Sequence, residues 1–312
     1  MFELIYRPGL LRGKRILVTG GGSGIGQTLA TAYAQLGASV YIAGRRGAVL
    51  DEVARSLSAA TGSAVQGRVC DVRDPDAVEA VLDGIWADGG PLDGLVNSAA
   101  GNFIAPTEQI SNRAFNTITD IQFRGAFYVT NGCGRRWIAQ GHKGNVVSII
   151  ATDVRCGGPF HVPSIMAKAG VELMTQSLAV EWGGYGIRLN CIAPGVLRTE
   201  GSATRLDPLS ERGWSATDNP MGRIGELSEM ANVGVFLMSG GLGFLSGETL
   251  ALDGAGQRAN GATFSALRAL SAQQWAEIRD SSKGATDALK PQRGANQSTP
   301  TADSTVTREG KA

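Results

Sequence analysis

Short apolar runs alternate along this chain with longer stretches in which apolar residues recur every three or four positions. The runs Ile16-Leu17-Val18-Thr19, Ser39 to Gly44, Ala64 to Val69, Leu92 to Val96, Asn145 to Ala151, Arg188 to Ile192 and Thr249 to Leu252 predict seven strands. Helical spacing predicts helices after Gly26, over Asp51 to Ala60, from near Asp76, from Ser111, over Ser164 to Trp182 and over Leu227 to Met238. Asp74-Pro75 caps the third of these, since the carboxylate accepts free N–H groups and proline suits the first turn. Strands that alternate with helices predict a parallel sheet whose ligand-binding loops share one edge.

The first strand runs directly into Gly20-Gly21-Gly22-Ser23-Gly24-Ile25-Gly26. Gly20 can take the backbone angles of a tight turn, Gly24 lets the main chain approach a pyrophosphate, and Gly26 lets the following helix pack on the strand. Gly20, Gly22, Ser23, Gly24, Ile25 and Gly26 are therefore expected around a dinucleotide, with free helix N–H groups facing the anion. The second strand ends in Arg45-Arg46, where an acidic residue would accept from a free ribose hydroxyl. A basic residue there neutralises a 2′-phosphate instead, so Arg45 points to NADPH.

Composition narrows the picture further. The 312 residues are 43% hydrophobic and 18% charged, which predicts one large domain with an ample core. A net charge of +1 implies no broad attraction to nucleic acid or to a membrane surface. Met1 to Lys14 lacks the apolar core of a secretory signal and no run is long enough to span a bilayer, so the expectation is a soluble cytoplasmic protein. The four cysteines and two histidines have neither zinc-site nor disulfide spacing, and no metal site is expected. Val196 to Asn219 is long for a connection and reads as a lid or substrate-binding insertion. Residues 1–256 form the predicted domain and 257–312 an extension, with one short amphipathic helix at Ser271 to Arg279 and a mobile polar tail from about 281.

With Thr19-Gly20-x-x-x-Gly24-Ile25-Gly26, Asp71, Asn97-Ser98-Ala99-Ala100-Gly101 and Pro194-Gly195 in this order, the chain resembles the short-chain dehydrogenases/reductases from about Leu11 to Gly254. The resemblance implies a Rossmann-type, doubly wound, parallel seven-stranded α/β sheet in one domain and a homotetramer or homodimer. It implies that Asp71 contacts the adenine, that Pro194 to Leu197, Gly195 among them, lie along the nicotinamide side, and that Val72 and Asn97 also bind the cofactor. Of the family's usual Asn, Ser, Tyr and Lys set only Lys168 is kept: Ser164 stands in the tyrosine position, Ala151 in the serine position and Arg124 in the asparagine position. A carbonyl reductase needs that phenol to protonate an alkoxide, so ordinary ketone chemistry is disfavoured.

A subgroup without that tyrosine, the NADPH-dependent 2,4-dienoyl-CoA reductases, is similar in detail. The matching stretches are Cys70 to Asp76, Ala99 to Ile104, Ile118-Thr119-Asp120-Ile121, Val162-Pro163-Ser164 through Glu172 and Thr204 to Pro208. The likeness implies that Asn102 donates to the thioester carbonyl, Lys168 holds the nicotinamide ribose and Ser164 supports that network. Arg73, Phe103 and Arg205 would contact the CoA ester. Where mitochondrial-type enzymes of the group carry a tyrosine proton donor this chain has Asp153, and peroxisomal-type enzymes use an aspartate matching Asp120. Beside an ammonium such as Lys168, Asp153 is expected to have a lowered pKa and to be a poor acid unless burial outweighs the charge, which makes Asp120 the first expected partner of Lys168 and Asp153 the second.

The activity implied is NADPH-dependent reduction of a 2,4-dienoyl-CoA in the degradation of unsaturated acyl-CoA. Hydride adds at the δ-carbon and the extended enolate is then protonated, by water held between Asp120 and Lys168. Such chemistry needs a donor at the thioester oxygen more than a strong acid at the reacting carbon. The alternatives are a trans-2-enoyl-CoA reductase of the same superfamily and a non-catalytic NADP(H)-binding regulator; Ser164 and Ala151 disfavour a 3-oxoacyl reductase.

Overall fold

The computed structural model describes residues 1–197, 219–259, 267 and 269–278. Strands β1 (Arg15–Thr19), β2 (Ser39–Gly44), β3 (Val65–Val69), β4 (Gly94–Asn97), β5 (Asn145–Ile149), β6 (Arg188–Pro194) and β7 (Thr249–Leu252) form one parallel sheet in the order β3-β2-β1-β4-β5-β6-β7. The chain winds outward from β1 through β2 to β3, then returns to β4 and winds the other way. That reversal leaves a crevice between the C-terminal ends of β1 and β4, the place where such sheets bind ligands.

Alternation along each strand splits the core between the two faces. Ile16, Val18, Val40, Ile42, Val147 and Ile149 pack on one side with α1 (Gly24–Gln35), α2 (Gly47–Thr61) and the helix Leu227–Met238. Leu17, Tyr41, Ala43 and Val146 pack on the other with residues of α3 (Pro75–Ala87), α5 (Gly125–Gln140) and Trp182 at the end of α6 (Val162–Trp182). Every residue of β4 and β5 is buried, as expected of central strands covered on both faces.

Caps set the helix starts much as the sequence predicts. The Asp74 side chain accepts from the N–H groups of Asp76 and Ala77, with Pro75 in the first turn. Ser111 accepts from the N–H of Ala114 at the start of α4 (Asn112–Thr119). The expected single long helix from Ser111 is interrupted, however: α4 passes into a π turn over Asp120–Arg124 before α5 begins. Wide turns of this kind are frequent at functional sites.

Chain contacts separate residues 1–260 from 261–312, a few positions beyond the boundary expected at 256. The turn at Gly256–Ala259 stays with the first unit because the Asp253 carboxylate accepts from the N–H groups of Ala255 and Gln257. In the second unit residues 272–278 are helical, within the span expected to form an amphipathic helix. The predicted tail from about 281 and most of the insertion Val196 to Asn219 lie outside the described residues. Among the described residues no helix is long and apolar enough to cross a membrane.

Candidate active site

The C-terminal ends of β1, β4, β5 and β6 open into one cleft of about 1480 Å³. Pockets for one drug-sized ligand run to roughly 300–1,000 Å³, so this cleft is larger than one such ligand needs.

On one side the β1–α1 turn makes a close-fitting cradle. Gly20 has φ +68°, and a Cβ there would stand 2.8 Å from the Ser98 carbonyl oxygen. A Cβ at Gly26 would stand 2.4 Å from the Gly20 carbonyl oxygen, so α1 can begin directly over the turn only because that position is glycine. Thr19 ties the two central strands together at this level: its Oγ1 accepts from the N–H groups of Ser98 and Ala99 and donates to the Val96 carbonyl. Gly22, Ser23, Gly24 and Ile25 line the cleft at the N-terminus of α1. The cradle therefore fits a dinucleotide pyrophosphate against main-chain N–H groups.

Of the two arginines after β2, Arg46 lines the cleft, whereas Arg45 is exposed outside its wall. Arg46 is the N-cap residue of α2, a position the strand pattern alone does not distinguish from its neighbour. Asp71 is held by Arg73, which donates to it through the main-chain N–H, Nε and Nη2. These bonds hold the Asp71 carboxyl below its ordinary range, and Arg45 adds to the effect. The expected adenine contact and the expected CoA contact are thus one ion pair, and neither residue is part of the cleft lining.

Val72 and Asn97 line a smaller cavity beneath the cleft, together with Thr19, Gln122 and Lys168. The Asn97 Nδ2 donates to Thr130 and Ser148, leaving its buried Oδ1 without a hydrogen-bond partner. Pro194, Gly195 and Leu197 line the opposite wall.

The floor is organised by α6. Lys168, two turns into that helix, is 9% exposed and donates to the Ile149 carbonyl at the end of β5. Burial disfavours its charged form and brings its pKa down from 10.5 to about 8. One turn earlier the Ser164 hydroxyl donates to Gln122 Oε1, and Gln122 Nε2 donates to the Gly101 carbonyl. Gln122, 2% exposed, thus connects α6 to the β4 loop through the π turn. Asn102 follows in the same loop and lines the cleft; its Oδ1 accepts from the Phe103 N–H, which leaves the amide hydrogens to serve as donors. Phe103 takes part here through that N–H and is only partly buried.

Two expectations need correction. Asp120 is not brought to Lys168: its carboxylate pairs with Arg124 at 3.0 Å on the outer side of the π turn, outside the cleft lining. The periodicity explains this, since Ile118, Ile121, Gln122, Gly125 and Ala126 form the buried stripe and Asp120 and Arg124 fall opposite it. Asp153 does line the cleft, but the side chain beside it is the His161 imidazole, with Oδ2 3.5 Å from Nε2, and the Asp153 pKa is raised rather than lowered. Desolvation outweighs the attraction of His161 and the Cys156 thiol bond. Arg205 lies outside the described residues. Gln122, Arg46 and His161 are not among the expected site residues; Gln122 carries a signal in its place in the apolar stripe and Arg46 in the Arg45-Arg46 pair that ends the second strand.

A dinucleotide carried on this edge of a doubly wound sheet and opposed by a buried lysine is the equipment of a nicotinamide-dependent oxidoreductase, and that is the class to which the chain belongs. The profile of the family described as Enoyl-(Acyl carrier protein) reductase matches residues 20–255, and the chain is a member of the short-chain dehydrogenase/reductase superfamily. It is 43% identical over 261 residues to a probable (3E)-enoyl-CoA-producing 2,4-dienoyl-CoA reductase of Caenorhabditis elegans, covering 82% of this chain and 84% of that one. A probable (2E)-enoyl-CoA-producing 2,4-dienoyl-CoA reductase of Bacillus subtilis is 36% identical over 77% of this chain and 95% of its own length. A gluconate 5-dehydrogenase from Burkholderia cenocepacia, solved with NADP and tartrate, superposes with TM-score 0.75 at 30% identity, over 80% of this chain and 98% of that one.

Proposed function

We propose that this chain reduces 2,4-dienoyl-CoA thioesters to enoyl-CoA with NADPH. The observation that carries the reading is the absence of a phenol where Lys168 is retained. All five tyrosines, at positions 6, 33, 41, 128 and 185, are among the described residues, and none lines the cleft. Tyr33 is fully buried and Tyr6 donates to the Asn232 carbonyl. An alkoxide formed from a ketone would have no phenolic acid to receive a proton from, whereas a conjugated thioester spreads its charge onto the carbonyl oxygen, where Asn102 can donate. The names of the relatives in the worm and the bacillus support the same substrate class.

Gly20, Gly22, Ser23, Gly24, Ile25 and Gly26 would hold the pyrophosphate, with Asp71, Val72 and Asn97 along the adenosine and central part of the site and Pro194, Gly195 and Leu197 beside the nicotinamide. Arg46, seconded by Arg45, would neutralise the 2′-phosphate that selects NADPH. Bound there, the reduced nicotinamide supplies hydride. Lys168, held on the Ile149 carbonyl, presents its remaining hydrogens to the ribose, and Ser164 keeps the helix face in register through Gln122. Asn102 polarises the thioester; Arg73, Phe103 and Arg205 would serve the CoA part. Assembly into a homodimer or homotetramer belongs to the same proposal. Met166, Leu173 and Val180, spaced along one face of α6, are 55%, 64% and 86% exposed, an apolar stripe that a second copy would cover.

Purified protein given NADPH with 2,4-hexadienoyl-CoA, crotonyl-CoA or acetoacetyl-CoA in parallel tests the reading. Nicotinamide oxidation with the dienoyl ester is expected. Turnover of acetoacetyl-CoA alone overturns it, turnover of crotonyl-CoA alone favours the enoyl reductase suggested by the family's description, and silence on all three favours a nucleotide-binding regulator.

A further inference from the structure

With no phenol in the cleft and Asp120 facing outward, the proton that completes the reduction needs another carrier. The loop after β5 brings an acid and a base to the cleft together; Asp253, another carboxylate in the lining, accepts from the main-chain N–H groups of Ala255 and Gln257. Asp153 stands in a single helical turn over Thr152–Val154, and His161 is the N-cap residue of α6; the loop between them brings carboxylate and imidazole to 3.5 Å. Both line the cleft that Asn102, Ser164 and Lys168 line. Both are partly accessible, at 37% and 20% of their side chains, so the pair can exchange protons with solvent.

The approach is built at a conformational cost. Phe160, just before His161, has φ +67°, a left-handed conformation that a bulky residue rarely adopts. Its carbonyl is fixed by the N–H of Ala105, in the same loop as Asn102, at 2.8 Å. Strain of this kind persists where surrounding structure over-determines it, typically at a site of function. The effect here is to hold His161 against the loop that carries the thioester donor.

We infer that Asp153 and His161 form the proton-donating pair of this site, with His161 as the group that replaces the missing phenol. The inference rests on the dienoyl-CoA reading. Hydride from the reduced nicotinamide forms a C–H bond at the δ-carbon and leaves an electron pair delocalised over the extended enolate. An N–H bond of the imidazolium then breaks, a C–H bond forms at the enolate carbon, and the imidazole is left neutral. Asp153 holds the imidazolium until transfer and solvent restores the proton. Desolvation raises the Asp153 carboxyl, and its Oδ2 stands 3.5 Å from His161 Nε2. Few other groups act on the pair: the Cys156 thiol lies 3.9 Å from Asp153, Arg155 is engaged by Glu172 at 3.5 Å, and Lys168 is turned to the Ile149 carbonyl.

The test uses the full chain, with His161→Gln and Asp153→Asn, NADPH binding followed by fluorescence, turnover of 2,4-hexadienoyl-CoA as a function of pH, and imidazole NMR titration. The chain has two histidines, so the His161 signal is assigned by its loss in H161Q. General-acid loss is expected to lower kcat by about 100-fold or more in H161Q, with NADPH affinity kept within twofold and the alkaline limb of the kcat profile removed. D153N is expected to lower the His161 titration midpoint and to shift that limb to lower pH. If H161Q binds NADPH and keeps kcat within threefold with the same pH profile, the pair is not the donor. If H161Q fails to bind NADPH, D153N decides alone, and an unchanged His161 midpoint overturns the pairing. A wild-type protein inert toward the dienoyl ester while the titrations behave as expected would sink the substrate reading, and the transfer step with it, but not the pairing.

Discussion

On the floor of the cleft Lys168, Ser164 and Gln122 are 9%, 5% and 2% exposed and are tied by hydrogen bonds to the main chain of β5 and of the β4 loop. Around it, outside the lining, Asp71 with Arg73 and Asp120 with Arg124 form a rim of ion pairs open to solvent. Asp120 and Gln122, one from each set, are only two residues apart. What separates them is that buried polar groups are costly to leave unpartnered, whereas exposed ion pairs are worth little net. Floor substitutions should therefore damage chemistry and folding together, and rim substitutions should act on ligands alone.

Lys168→Met gives the largest effect. Loss of the buried ammonium should lower kcat/KM at least about 100-fold, the usual scale for removing a preorganised donor. Its pH signature has a definite sign. Because the folded pKa of about 8 lies below the unfolded 10.5, the unfolded chain binds more protons between these values, and the lysine's contribution to stability rises with pH across that window. Urea midpoints of wild type relative to K168M should rise from pH 8 to pH 10.5; a flat difference would show that the lysine is not desolvated.

Gly26→Ala comes next. A methyl group directed at the Gly20 carbonyl must push α1 off the turn, costing about 1–3 kcal/mol in denaturant unfolding and weakening NADPH about tenfold. Gln122→Ala should cost about 1–3 kcal/mol as well, by stranding the Ser164 hydroxyl and the Gly101 carbonyl, and should lower kcat without a matching change in KM. On the rim Arg46→Ala should weaken NADPH roughly tenfold relative to NADH while stability holds, with Arg45→Ala changing the ratio less. Equal losses for the two nucleotides would remove the 2′-phosphate argument. Asp120→Ala should be smallest, within about 1 kcal/mol and twofold in rate. If D120A proves worse than Q122A, the contrast between floor and rim is reversed.

Most of the fold was legible because the sheet is buried on both sides. β2 and β7 begin and end where their apolar runs do, and β5 begins where predicted. The turn at Gly20 to Gly26 was legible because few residues other than glycine tolerate it. The site was legible wherever one residue type answers to one need, as with Lys168 at its spacing from Ser164. It was misread at Asp120, where the resemblance of Ile118 to Ile121 was weighed above the apolar stripe that turns Asp120 outward. Asp153 differs from expectation for another reason: burial outweighs charge there, and its neighbour, His161, is brought near by a loop whose path includes Phe160 at positive φ, which no short-range pattern announces.

The π turn at Asp120–Arg124 also limits how this enzyme can change. A π turn carries one residue more than the α turn it replaces, so deleting one residue within it would restore a regular spiral with α4 and α5 still in phase. What would change is the place of Gln122 in the turn, and with it the link that joins the Ser164 hydroxyl to the Gly101 carbonyl. Point substitutions can tune this segment, but a single-codon deletion would cost the connection between the β4 loop and α6 at one stroke.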